Sequence, residues 1–99
     1  MKIRFSDAAL NDLRRIGDYI AQDSPLRARD FVRALRERAT QIADNPLAFP
    51  LVPHHERRGI RCRVFRGYLI FYRAEADIVS IVRILHAAQD YEAVLFADE

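Results

Sequence analysis

Polar and apolar residues alternate with period two over Lys2-Ile3-Arg4-Phe5-Ser6, which predicts a short strand. The period then lengthens. Leu10, Leu13, Ile16 and Ile20 recur at spacings of three, three and four, while Asn11, Asp12, Arg14, Arg15 and Asp18 fill the remaining surface. This predicts an amphipathic helix capped by Ser6 or Asp7 and ending near Asp23. Ser24-Pro25 opens a second helix, pairing a favoured N-cap residue with proline at the first helical position. Its apolar stripe is Ala28, Phe31, Leu35, Ala39 and Ile42, Arg33 and Glu37 stand as an i,i+4 pair, and Asn45-Pro46 stops it. So short a link between two helices folds them back as a hairpin.

Pro46, Pro50 and Pro53 punctuate an apolar loop over 47–52. Three strands follow: 59–65, 68–73 and 78–85, joined by Arg66-Gly67 and by 74–77. Links this short predict an antiparallel meander. The run Tyr68-Leu69-Ile70-Phe71-Tyr72 is apolar on both faces and predicts a central strand. Arg61 and Arg63 alternate with Ile60, Cys62 and Val64, so the first of the three reads as one-sided, with its arginines directed away from the helices. A short helix is expected within 87–96, with a frayed end at Asp98-Glu99. The fold class is α+β: a single domain, 1–99, in the order β-α-α-β-β-β(-α), with a helix hairpin on one face of a small, mainly antiparallel sheet.

Composition adds limits. With 99 residues, 51% of them hydrophobic and 30% charged, the chain reads as globular, with room for one core. Cys62 has no partner for an internal disulfide, which fits a cytoplasmic protein. Met1 leads directly into the first strand without a signal-peptide h-region, and no apolar run approaches the ~20 residues that span a bilayer. Charge is uneven: net +2 over 1–53, +4 over 54–86 and −4 over 87–99, with arginine supplying 15 of the 16 Lys and Arg residues. Arginine's planar fork suits carboxylate and phosphate, so anionic partners are favoured.

Several motifs together give the chain a specific likeness. These are Ala9-Leu10-Asn11-Asp12-Leu13-Arg14-Arg15-Ile16-Gly17-Asp18-Tyr19-Ile20, the Asn45-Pro46 stop, Arg61-Cys62-Arg63-Val64, and Tyr68 through Arg73. Ile81-Val82-Arg83-Ile84-Leu85-His86 followed by Gln89-Asp90 completes the set. In order and spacing the chain resembles the ParE branch of the RelE/ParE toxin superfamily. The resemblance implies the toxin of a type II toxin–antitoxin pair, neutralised by a cognate ParD-like antitoxin. It also implies an inhibitor that traps DNA gyrase with cleaved DNA and blocks replication. RelE-like relatives instead cleave messenger RNA on the ribosome. The expectation is action by binding, without enzymatic turnover or cofactor, and without sequence-specific nucleic-acid binding by the toxin alone. A ribonuclease is the alternative, and a non-toxic protein-binding module a further one.

RNA cleavage requires a base for the 2′-hydroxyl proton, an acid for the leaving oxygen and fixed cations on the phosphate. His54, His55 or Glu56 could supply the base, Arg61, Arg63 and Arg83 the cations, and His86 or Tyr91 the acid. The bland readings are solvated strand arginines and a strand-capping histidine. The proline loop has no lysine cluster, and Lys2 is the only lysine in the chain. His54-His55-Glu56 is a poor metal set, since neighbours in an extended segment point to opposite sides. Cys62 reads as a small core residue.

Partner binding calls on Tyr19, Phe31, Tyr68 and Tyr72, as core aromatics or as a ledge for a partner helix. His86 joins them, and Arg61, Arg63 and Arg83 would pair antitoxin carboxylates on the open sheet face. In this scheme the sheet face and C-terminal segment engage gyrase, while the hairpin and sheet edge receive the antitoxin.

Overall fold

A computed structural model describes residues 1–97; the expected frayed end at Asp98-Glu99 lies outside them. Strand β1 (Lys2–Phe5) leads into helix α1 (Asp7–Ala21) and helix α2 (Pro25–Gln41). Strands β2 (Arg61–Phe65), β3 (Tyr68–Glu75) and β4 (Ile78–His86) follow, and α3 (Tyr91–Leu95) closes the order. Both predicted caps form. The Ala9 amide donates to Ser6 Oγ at 3.0 Å and the Arg27 amide to Ser24 Oγ at 3.2 Å. Ser6 Oγ also donates to the Val82 carbonyl at 2.9 Å, fastening the start of α1 to the sheet.

The sheet has the order β1-β4-β3-β2. The meander is antiparallel as expected, while β1 lies parallel to β4 at the edge. Arg66 and Gly67 both take positive φ, 47° and 84°, the primed two-residue turn that matches strand twist. Gly59, at φ 70°, caps a 3-10 turn over Glu56–Arg58, so β2 starts at Arg61, two residues later than the alternation suggests.

The core has two parts. Leu13, Ile16, Leu35, Ala39 and Ile42 of the hairpin side meet Ile70, Tyr72, Val79, Ile81 and Ile84 beneath them. On the opposite face Val52, Ile60, Phe71, Leu85 and Phe96 form a second cluster, with Cys62, Leu69 and Tyr91 packed against it. The chain's own loop and tail thus occupy much of the face that was expected to be open.

This corrects the predicted direction of the arginines. Arg61 pairs with Tyr72 and Arg63 with Ile70, and residues directly opposite in a ladder share a face. Both arginines therefore lie on the helix side, beyond the edge of α2, while Cys62 and Val64 face the other way. Period two distinguishes the faces of a strand but not which cover each receives.

Burial holds the Cys62 thiol up at about 11. Only the thiolate is nucleophilic. Alkylation by iodoacetamide at neutral pH should run roughly two orders of magnitude slower than for a free cysteine. A rate equal to that of free cysteine, measured by mass shift, would contradict this packing.

Candidate partner-binding site

Four of the predicted partner residues converge at one end of the sheet. The Arg66-Gly67 turn delivers Tyr68 beside His86, its register partner on β4. Their rings meet edge to face with centres 5.1 Å apart. Phe31 of α2 leans on Tyr68 at 5.4 Å, and Tyr19 stands on the last turns of α1, 70% exposed. An open groove of about 520 Å³ runs between α1 and the ends of β3 and β4, lined by Arg15, Ile16, Tyr19, Tyr68, His86 and Gln89 among others. A second groove shares Tyr68 and continues past Phe31, Ile20, Arg27 and Arg66.

The polar groups of this end are ordered. The His86 amide donates to Gln89 Oε1 and the Ala88 amide to His86 Nδ1, both at 3.0 Å. With Nδ1 accepting, the neutral ring carries its proton on Nε2. Burial, and then the Tyr19 phenol, hold the Tyr68 hydroxyl above its ordinary range, so it remains a neutral donor. Apolar floor, aromatic walls and cationic rim are the makings of a protein-docking groove.

Arg83 stands apart. Its Nε and Nη2 donate to the two carboxylate oxygens of Asp12, each at 2.8 Å, and the Ile84 amide donates to the same carboxylate at 2.9 Å. Asp12, expected on the helix surface, is only 4% exposed. The pair raises Arg83 above its ordinary range through the Asp12 hydrogen bonds, against the opposing effect of burial. Arg83 thus ties α1 to β4, and the predicted row of Arg61, Arg63 and Arg83 on one open face does not form. Tyr72 is likewise no ledge: it is fully buried, and its hydroxyl donates to the Pro46 carbonyl at 2.6 Å.

The groups considered for RNA cleavage are dispersed. Tyr91 packs on Phe71 on the sheet's far side, at 5.3 Å between centres. His55 stacks on Phe96 at 3.9 Å and lies 2.8 Å from Glu92, while Glu56 begins a 3-10 turn and His54 takes a left-handed φ of 69°. Arg61 and Arg63 sit at the β2 edge, and His86 at the mouth of the groove. Among the described residues, no group of three or more His, Cys, Asp or Glu side chains could hold a metal ion. None of the described helices is long and apolar enough to cross a membrane. Of the residues that complete the rim, Arg15 and Gln89 stood in the sequence only within the motifs that carry the family resemblance, Arg66 only as part of the Arg66-Gly67 turn, and Arg27 carried no signal.

Solved structures share this architecture. A "Chromosomal ParDE TA system from P. aeruginosa" aligns with a TM-score of 0.75 at 20% identity, over 87% of this chain and 95% of that one. The "toxin-antitoxin complex RelBE2" from Mycobacterium tuberculosis aligns with a TM-score of 0.64 at 22% identity, over 86% and 95%. The fold is therefore that of the RelE/ParE class. Sequence narrows it further. The family described as "ParE toxin of type II toxin-antitoxin system, parDE" matches residues 3–91, and the chain belongs to that family. It is also 38% identical over 81 residues to Toxin RelE2 of Caulobacter vibrioides, spanning 82% of this chain and 89% of the relative.

Proposed function

We propose that this toxin acts by occupying DNA gyrase and trapping it with cleaved DNA, and that a cognate ParD-like antitoxin keeps it inactive. The observation that carries the reading is the convergence of Tyr19, Phe31, Tyr68 and His86 along two adjoining open grooves that share Tyr68 and carry arginines at their rims. The acid, base and phosphate-holding candidates, in contrast, are spread over both faces of the sheet. A docking surface supplies affinity through buried aromatic anchors, and inhibition by occupancy demands no proton transfer. The groove is assigned to the target; an antitoxin seated on the hairpin would close it.

A ribosome-dependent ribonuclease is the second reading, favoured by the name of the 38% identical relative, Toxin RelE2. One experiment separates them. Purified gyrase, relaxed plasmid and the toxin should accumulate cleaved DNA, while transcript ends mapped after induced expression should show no new cuts. Codon-positioned RNA ends with unimpeded supercoiling would reverse the order of the two readings.

A further inference from the structure

Four arginines gather where the C-terminal half of α2 meets the outer edge of β2. The guanidinium carbons of Arg38 and Arg66 lie 4.9 and 5.1 Å from the centre of one ring, Phe65. Arg63 lies 4.9 Å from the centre of Phe49 and donates to the Arg38 carbonyl at 3.0 Å. Arg61 donates to the Phe49 carbonyl at 2.8 Å. Among the described residues none of the four is ion-paired; the described pairs use Asp12, Asp30 and Glu92. Like charges held together repel one another, and an anion relieves that repulsion. At Arg63 burial first, and then the Arg38 charge, hold the guanidinium below its ordinary range, against the opposing effect of Tyr72.

We infer that the Arg38, Arg61, Arg63 and Arg66 cluster is a docking surface for the phosphate backbone of duplex DNA. Its use on gyrase-bound DNA rests on the gyrase reading above. A guanidinium stacked on a ring keeps the N–H groups at its edge available, the fork that grips phosphate oxygens. Arg66 borders the second groove, but Arg38, Arg61 and Arg63 line neither groove, and an acidic protein segment fits them less well because binding between proteins centres on apolar anchors seated in pockets. Here Phe65 is 93% hidden and guanidinium groups lie over both rings. Backbone phosphates need only fixed cations, and they carry no sequence information.

The test is fluorescence anisotropy of the full chain with a short random-sequence DNA duplex, titrated between about 50 and 200 mM salt. The affinity should fall with log salt at a slope near −2 to −3, about −0.9 for each phosphate contacted. The double variant Arg38→Ala/Arg66→Asn should lose nearly two units of that slope; asparagine tolerates the positive φ at 66. Arg38→Lys, which keeps the charge, should retain it. The proposal is overturned by a wild-type chain that does not bind duplex, by a double variant of unchanged slope, or by polyglutamate or single-stranded RNA displacing the duplex better than unlabelled duplex does. Duplex binding with the expected slope by a chain that leaves gyrase untouched would support the site while removing the gyrase reading.

Discussion

Replacing Asp12 by alanine should lower stability by about 3–5 kcal/mol, the penalty of leaving a partly buried guanidinium without its carboxylate. Asp12 is the hub of the link between α1 and β4: it receives two bonds from Arg83 and one from the Ile84 amide. Alanine would strand all three donors. For a chain of this size, each kcal/mol moves the melting temperature by about 4–8 °C, so a fall of at least ~12 °C is expected. Because domains hold only about 5–15 kcal/mol in total, much of the variant would unfold near body temperature. Asp12→Leu combined with Arg83→Met should recover part of the loss, since removing both charges leaves neither unpaired while the Ile84 amide still lacks its acceptor. A melting temperature within about 5 °C of the parent for Asp12→Ala would show that the pair does not brace the fold.

The second large effect concerns the groove. Tyr19 projects from α1 with most of its ring in solvent, so Tyr19→Ala should leave stability within about 0.5 kcal/mol of the parent. As an anchor against gyrase, the same ring should be worth about 2 kcal/mol, raising the toxin concentration for half-inhibition of supercoiling by roughly 30-fold. Tyr68→Ala should weaken inhibition as well, but it also removes the support of Phe31 and His86 and would cost stability. Tyr19 is thus the cleaner probe. Unchanged inhibition by a folded Tyr19→Ala protein would move the docking surface elsewhere.

Much of the fold was legible where local chemistry is specific. Ser24-Pro25 opened α2, Asn45-Pro46 ended the 3-10 turn over Ile42–Asp44 that follows it, the short link between helices required a hairpin, and Arg66-Gly67 marked a tight turn. What escaped prediction depended on contacts distant in sequence. Asp12 reads as surface on a helical wheel, and only the approach of Arg83, 71 residues later, makes its burial favourable. The faces of β2 could not be assigned because apolar groups cover both sides of the sheet: the helix hairpin on one, Val52, Ile60 and Phe96 on the other. The parallel placement of β1 had no local signature.

The candidate site divides the same way. Tyr19, Phe31, Tyr68 and His86 were recognised as aromatic or amphipathic groups suited to a partner; the sheet register pairs Tyr68 with His86, and packing of the helix hairpin brings Tyr19 and Phe31 to them. Tyr72 carried the same signal yet is core, since it sits under the hairpin with its hydroxyl satisfied by Pro46. Arg38 was silent in the sequence and Arg66 was marked only as a turn residue, because only folding brings both over one ring.

The most direct measurement is the stoichiometry of inhibition: a fixed amount of gyrase titrated with toxin, read by residual supercoiling. Occupancy of a docking site predicts loss of activity in proportion to bound toxin, ending once gyrase is saturated. Full gyrase activity at saturating toxin, with RNA consumed by far less toxin than substrate, would mean that the protein acts by turnover and that the groove is not its working surface.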